Sequence, residues 1–219
     1  MKRAAVLVAT CIAALAAVGA AGATNECRGL QVCVPVAGPW VVAGAGTQVT
    51  FQLACPKRFV VAGLDAELSR RGVDVTFRGA LGSPVNPGIT TSRAAEFFAR
   101  LLVRGAAATF RPHIGCVPAS GSGQRFPTVY RPAPALAATA VQLTVRPGVH
   151  RFVERCPAGK RLAGASHAVG FYTPLPPPAA VLRSVAVAQS VRDGVVHLVV
   201  HAGPLPGMTA IVQVEMDCA

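Results

Sequence analysis

The sequence predicts an all-β protein built from two tandem related domains, each a disulfide-stapled β-sandwich or small barrel. The first observation behind this prediction is an internal repeat. When Cys55-Pro56 is aligned with Cys156-Pro157, Gly63 falls on Gly164, and the two halves of the chain match at further positions. The second observation is a period of two in hydrophobicity, in short segments separated by turn residues, which is typical of half-buried strands.

Each copy of the repeat is bracketed by cysteines. Cys116 follows Cys55 at an interval one residue shorter than the interval between Cys156 and Cys218. A matched bracket predicts one disulfide per copy, and elimination then pairs Cys27 with Cys33, because Cys11 lies in the predicted signal peptide. The predicted disulfides are therefore Cys27–Cys33, Cys55–Cys116 and Cys156–Cys218.

The N-terminus predicts a secretory signal peptide of residues 1–23. Met1-Lys2-Arg3 is a basic start, residues 4–20 form an uncharged apolar run, and Ala21-Gly22-Ala23 is a small-residue cleavage site. The alternative is an uncleaved membrane anchor, but the run is slightly shorter than the roughly 18–20 residues that a spanning helix needs. We expect a secreted protein of the extracellular space or cell envelope, without a transmembrane segment after cleavage. Of its seven cysteines, the six that remain after cleavage form an even set, which suits an oxidising compartment.

The first domain is expected over residues 24–118, with a small Cys27–Cys33 loop followed by the repeat unit at 38–117. Val49, Phe51 and Leu53 alternate with other residues, which predicts a strand at 49–55. Further strands are predicted at 59–68, 73–79, 96–103 and 109–116. Residues 94–104 fit a helix as well as a strand. The uncharged run 29–56 contains prolines and glycines, so it is expected to supply the first strands of the domain and not a membrane helix.

The second domain is expected over residues 139–219, after a linker at 119–138 that is rich in Gly and Ser at first and in Pro later. Strands are predicted at 141–145, 149–156, 182–191, 195–201 and 211–218. Turn signals lie at 146–148 and at Arg192-Asp193-Gly194, and the prolines of 174–178 predict a rigid loop. Glu154 stands where the first copy has Leu53, so the core pattern is not kept there.

Cys156-Pro157 begins a Cys-Pro-x-Gly motif that leads through apolar residues to Gly164, and the copy ends on Met216-Asp217-Cys218. This combination resembles exported bacterial β-repeat proteins, most of them uncharacterised, in which a Gly-rich turn and a closing Cys strand follow the motif. The first copy departs from the pattern, with Arg58 in place of the first glycine. The resemblance implies a secreted β module, and it carries over no catalytic residue.

The chain is strongly basic, with 21 Lys and Arg against 9 Asp and Glu and a net charge of +12. GC-biased coding explains this balance without any function, because Ala, Gly, Val and Pro are also abundant. The functional interpretation is attraction to an anionic surface. Nucleic acid is not an expected partner, because the charge is dispersed, no recognised binding motif is present and the chain is predicted to be exported.

Three basic doublets in or near turns are the candidate anion-binding residues. Two of them follow a Cys-Pro, so the repeat would place them at equivalent ends of the two domains, where they would form an anion-binding rim. The alternative is that each doublet is an ordinary solvated turn. The residues are Lys57, Arg58, Arg70, Arg71, Lys160 and Arg161.

Catalytic and metal-binding patterns are weak. Gly164-Ala-Ser166-His167 is similar to a nucleophile elbow but lacks the second glycine and a following helix. His197 and His201 follow an Asp-Gly turn in a Val-rich segment, where a strand would separate them by about 13 Å, too far for one metal ion. No CxxC or Cys/His cluster has ligand spacing. We therefore expect no metal and no cofactor.

Two carboxylate pairs at i and i+2 complete the candidates. Asp65 and Glu67 would share one face of a strand, as would Glu215 and Asp217. Such pairs perform acid–base chemistry in some proteins and hold Ca²⁺ in others. With so many arginines available, solvated ion pairs are the expected role here.

Taken together, these features predict a secreted, non-catalytic binding or structural module of the cell envelope or extracellular space. The expected partner is an anionic cell-envelope polymer or surface, which the protein would engage electrostatically. The alternative is an extracellular hydrolase of unknown substrate that uses Ser166. The sequence leaves open the oligomeric state, the strand order and the packing of the two domains against each other.

Overall fold

The computed structural model describes residues 24–30, 32–44, 46–78, 93–102, 107–119 and 138–219. The predicted signal peptide lies outside these residues, and so does the predicted linker apart from its two ends. In the described residues, no helix is long and apolar enough to cross a membrane.

The described part of the chain is all-β, as predicted, and every strand pair is antiparallel. The strands of the first half are β1 (Val34–Ala37), β2 (Trp40–Ala43), β3 (Gln48–Ala54), β4 (Phe59–Leu68), β5 (Val73–Arg78), β6 (Ala94–Leu101) and β7 (Ala108–Pro118). The second half contains β8 (Ala138–Val145), β9 (Gly148–Arg155), β10 (Leu162–Tyr172), a one-turn helix α1 (Ala179–Leu182), β11 (Val185–Arg192), β12 (Val195–Ala202) and β13 (Thr209–Cys218).

Both halves contribute to one large main sheet. Its order is β4-β7-β2-β10-β13-β8, and β1 pairs with β7 on the same edge as β2. The halves meet where β2 pairs with β10, with Val41 opposite Gly170 and Trp40 opposite Phe171. The two halves are therefore joined by backbone hydrogen bonds as well as by the chain.

Two three-stranded sheets cover opposite faces of the main sheet. We name them sheet B (β3-β6-β5) and sheet C (β9-β12-β11). Phe97 of sheet B packs in one core with Phe110 and Ile211 of the main sheet. Leu198 of sheet C packs in a second core with Val212. Because Ile211 and Val212 are neighbours on β13 and point to opposite faces, this strand is buried on both sides.

The strands pair in the same order in both halves. β4-β7-β2 corresponds to β10-β13-β8, and β3-β6-β5 corresponds to β9-β12-β11. A register shift also recurs at the same aligned place, between Val61 and Gly63 on β4 and between Leu162 and Gly164 on β10. The two bulges therefore lie at the same place in equivalent strand pairs.

Three disulfides join the predicted cysteines: Cys27 to Cys33, Cys55 to Cys116, and Cys156 to Cys218. In each half the long-range disulfide links the end of the first small-sheet strand to the main sheet. The sequence separations are 61 and 62 residues. Disulfides persist in oxidising compartments, so their presence indicates that the protein works in such an environment.

The strand predictions differ from the structure chiefly in two places, at β10 and at residue 182. The strand predicted at 96–103, in a segment that also fitted a helix, is confirmed as β6, which pairs with β3 on one side and with β5 on the other. β10 was not predicted, because Gly and Ala dominate its first part and its second part buries residues on both faces, Ala168 in one core and Phe171 in the other, which hides the alternation. Residue 182, predicted to begin a strand, ends α1, because Pro178 precedes a helical turn that buries Leu182.

Candidate functional site

The outer face of sheet C is the candidate site, and we name it the basic face. Along β9, Phe152 points inward and packs against the second core, so the residues on either side of it point outward. Arg151 and Arg155 are exposed, and Val149 and Val153 are 54% and 52% exposed. The outward positions of the three strands are Val149, Arg151, Val153 and Arg155 on β9, Val195, His197, Val199 and His201 on β12, and Ala186, Ala188, Ser190 and Arg192 on β11.

The strand register brings the cations of the basic face together. Val195 on the central strand β12 lies opposite Arg155 on β9 and opposite Arg192 on β11. Since neighbouring strands are about 4.8 Å apart, the backbones of these two arginines are roughly 10 Å apart. Arg151 lies on the same side of β9, two rows further along, opposite Val199. The three guanidinium groups therefore belong to one surface.

No carboxylate occupies an outward position of sheet C. Glu154 occupies an inward-facing position opposite the buried Val196, and Asp193 lies in the hairpin turn beyond the basic face. In the part of the chain that the structure describes, no ion pair involves Arg151, Arg155 or Arg192. The positive charge of the face is thus not neutralised by described neighbours.

The strands of sheet B pair in the same order as those of sheet C, but acidic and basic residues are balanced at its outward positions. Arg100 on β6 lies opposite Asp74 on β5. Arg78 forms an ion pair with Glu96 and lies over the ring of Phe98, 5.3 Å from its centroid. Glu96 is fully buried, so Arg78 neutralises a buried carboxylate, and Arg100 has an acidic residue opposite it on the neighbouring strand. Of the two small sheets, sheet C alone therefore has arginines at outward positions without an acidic residue paired with or opposite them.

The histidine pair predicted from the sequence lies on the basic face. His197 is half-buried and His201 is exposed on β12, two rows apart. Strand spacing over four residues keeps the two imidazoles from sharing one ion. Among the described residues, no group of three or more His, Cys, Asp or Glu side chains has a geometry that could hold a metal ion.

The basic doublets do not form one rim. β4 and β10 run in opposite directions, because β4 and β2 are both antiparallel to β7 and β10 is antiparallel to β2. The doublet Lys57-Arg58 before β4 and the doublet Lys160-Arg161 before β10 therefore lie at opposite ends of the main sheet. Arg70-Arg71 follows β4, at the other end of that strand from Lys57-Arg58. A single anion site cannot include all three doublets.

Ser166 and His167 are not placed as a catalytic pair. Both lie in the middle of β10, where successive side chains point to opposite faces. Ser166 is exposed on one face, and His167 on the other places its Nδ1 2.8 Å from the Gln189 Oε1 of β11. The strand–turn–helix context of a nucleophile elbow is missing at this position.

The pair Asp65 and Glu67 borders a polar cavity of about 450 Å³ that is also lined by Asn25 and Trp40. Asp65 accepts a hydrogen bond of 2.6 Å from the backbone N–H of Asn25. Glu67 Oε2 lies 3.1 Å from the His113 Nε2 and 3.8 Å from the Arg111 guanidinium. The Asp65 contact holds the N-terminal segment on the main sheet and the Glu67 contacts join β4 to β7, so the pair has structural partners and is not simply solvated.

Glu215 also differs from the expected solvated ion pair. It is half-buried on β13, and its Oε2 has no hydrogen-bond partner among the described residues. Burial, together with repulsion from Glu96 and Asp217, raises the pKa of Glu215 to about 7, against an opposing effect of Arg78. The other member of its pair, Asp217, is exposed.

The sequence interpretation missed Arg151, Arg155 and Arg192 as a group. A signal for two of them is present, since Val149-x-Arg151-x-Val153-x-Arg155 alternates apolar and basic residues on one side of a predicted strand. The contribution of Arg192 follows only from the pairing of β12 with β11.

No protein-family model matches this chain, and no significantly similar sequence or structure was found among curated proteins or solved structures. The functional proposal therefore rests on the residues and geometry of the chain itself.

Proposed function

We propose that this protein is a secreted, non-catalytic binding module of the cell envelope or extracellular space that engages an anionic surface. The observation that carries the proposal is the basic face, with three arginines and two histidines and no carboxylate at its outward positions. Clustered cations attract an anionic partner over a distance set by the ionic strength. The net charge of +12 acts in the same direction.

The proposal includes two tandem related domains. The recurring strand order, the recurring bulge and the two long-range disulfides of nearly equal span support it. In this proposal the duplicated units have diverged in their outer faces, since sheet B kept balanced charge while sheet C became basic. Export through the predicted signal peptide agrees with the oxidising environment that the disulfides indicate, and with the resemblance of the Cys156 motif to exported β-repeat proteins.

The alternative of an extracellular hydrolase has no comparable support. Its candidate nucleophile, Ser166, and the adjacent His167 point to opposite faces of β10. The carboxylates Asp65 and Glu67 are engaged by Asn25, His113 and Arg111. None of these groups favours a hydrolytic mechanism over binding.

Co-sedimentation of the oxidised protein with isolated cell envelopes tests the proposal. We expect pelleting at low salt that is lost at high salt, because exposed charges are screened. The variant Arg151→Ser/Arg155→Ser/Arg192→Ser should lose the pelleting. The matched control is Lys57→Ser/Arg58→Asn/Arg161→Ser, which removes the same charge from exposed turns, with Asn at residue 58 because Arg58 has a positive φ of 69°.

Two results would contradict the proposal. Failure of the parent protein to pellet at low salt would remove the anionic surface as a partner. Equal loss in both triple variants would show that net charge alone governs binding and that the basic face has no special role.

A further inference from the structure

The basic face combines positive charge with exposed apolar side chains. Along β9 its outward residues are Val149, Arg151, Val153 and Arg155, in steps of about 6.7 Å. The two valines are more than half exposed, and they lie between and beside guanidinium groups. On the central strand, Val195 and Val199 alternate with His197 and His201 at the neighbouring outward positions.

Apolar groups between cations distinguish one anionic partner from another. A hydrated anionic polysaccharide supplies charges but no apolar region, so both valines would remain in water at such a contact. The surface of an anionic bilayer supplies phosphate groups for the arginines. Just below the phosphates, the boundary with the acyl chains accepts apolar side chains. A three-stranded face with both features fits the bilayer surface better.

We infer that the basic face docks on a lipid bilayer rich in anionic lipid, with its arginines on headgroup phosphates and Val149 and Val153 at the acyl-chain boundary. This inference rests on the proposed function and names the surface that the same site engages. The contact has an electrostatic part, which salt screens, and an apolar part, which salt does not weaken.

Vesicle flotation separates these two parts. The probes are vesicles of phosphatidylglycerol mixed with phosphatidylcholine, vesicles of phosphatidylcholine alone, and soluble dextran sulfate as an anionic polymer. Val149→Thr/Val153→Thr removes the apolar groups and keeps a β-branched residue at each strand position. The matched control is Val32→Thr/Val34→Thr, because these valines are 58% and 40% exposed in the first half of the chain.

We expect the parent protein to float with phosphatidylglycerol vesicles and not with phosphatidylcholine alone. The variant at Val149 and Val153 should partition about tenfold less, and its residual binding should disappear at high salt. The Arg151, Arg155 and Arg192 triple variant should partition about a hundredfold less. The control at Val32 and Val34 should partition like the parent, and thermal unfolding should show that all variants remain folded.

The experiment distinguishes failure of the lipid inference from failure of the anionic-surface proposal. Binding to dextran sulfate without binding to vesicles would overturn the lipid inference and leave the anionic-surface proposal standing. Vesicle binding that is unchanged in the variant at Val149 and Val153 would also overturn it, because the contact would then be purely electrostatic. Binding to neither vesicles nor dextran sulfate would overturn both proposals.

Discussion

Glu215 shows how the environment of a single carboxyl group couples stability to pH. Burial, reinforced by repulsion from Glu96 and Asp217, raises the pKa of Glu215 from its ordinary value of 4.5 to about 7. The folded protein therefore favours the protonated form more than the unfolded chain does. The resulting stability is fully present below pH 4.5 and is lost as the pH rises to about 7.

We predict that Glu215→Gln removes this pH dependence. The variant should match the parent below pH 4.5 and exceed its stability above pH 7 by about 1 kcal/mol, a value reduced because the side chain is only half-buried. Urea unfolding of both proteins across this pH range measures the difference. Asp217→Asn is the control, and its effect should be smaller because Asp217 is exposed. A difference that does not change with pH would contradict the prediction.

Gly63 and Gly164 occupy the same aligned position after the bulge but have different neighbours. A Cβ on Gly63 would collide with the backbone carbonyl oxygen of Glu26, whereas a Cβ on Gly164 would lie 3.3 Å from the carboxylate oxygen of Asp217. Only the first half has an N-terminal segment packed over the bulge, so the glycine is a steric requirement only there.

We predict that Gly63→Ala destabilises the protein by about 1–3 kcal/mol, because the Cys27–Cys33 segment must move away from the main sheet. Gly164→Ala should change stability by less than about 0.5 kcal/mol, because the nearby Asp217 side chain can rotate. Urea unfolding of the two variants gives the comparison. Equal losses would mean that the N-terminal segment does not constrain Gly63.

At the scale of elements, the free edge of β3 pairs with a side chain and not with another strand. Its free edge is hydrogen-bonded by Gln213 of β13, which accepts from the Gln52 N–H at 2.6 Å and donates to the Gln52 C=O at 2.8 Å. Gln213 is buried, so its amide replaces the partners that water would otherwise supply. This contact ties sheet B to the strand that closes the second half.

We predict that Gln213→Ala costs about 3 kcal/mol of stability, because two backbone groups of Gln52 lose their partner in a partly buried place. Gln142, which lies opposite Gln213 on β8 and is exposed, is the control. Gln142→Ala should change the stability by less than about 0.5 kcal/mol. Urea unfolding measures both values, and similar values for the two variants would show that the Gln52 edge does not depend on Gln213.

The elements themselves were largely predictable. A period of two identified strands such as Gln48–Ala54 within one residue, because alternate side chains such as Phe51 and Leu53 are buried. β10 escaped prediction, because it is rich in small residues and its second part buries residues on both faces. The role of Gln213 could not be predicted, because its partner is a backbone group 161 residues away in the sequence.

At the scale of the whole molecule, the disulfides should contribute unequally. Two of them close loops with sequence separations of 61 and 62, and the third has a separation of only 6. In the chain-entropy relation, a disulfide stabilises the fold by restricting the unfolded chain, and the effect grows with loop length.

We predict that Cys55→Ala/Cys116→Ala and Cys156→Ala/Cys218→Ala each cost about 4 kcal/mol, whereas Cys27→Ala/Cys33→Ala costs about 2 kcal/mol. Urea unfolding of the three variants under oxidising conditions provides the values. A larger loss for the Cys27 and Cys33 variant than for the other two would show that the short loop acts through native contacts on the main sheet.

The sequence by itself determined the all-β class, the three disulfide partners and most strands, because periodicity and cysteine spacing are local or pairwise properties. Only the tertiary structure decided that the two halves share one main sheet and that their small sheets cover opposite faces of it. The pairing of β2 with β10 uses backbone N–H and C=O groups, which every residue type except proline carries, so no side-chain pattern indicates it. The basic face arises in the same way, since Arg151, Arg155 and Arg192 become one surface only through the register of three strands.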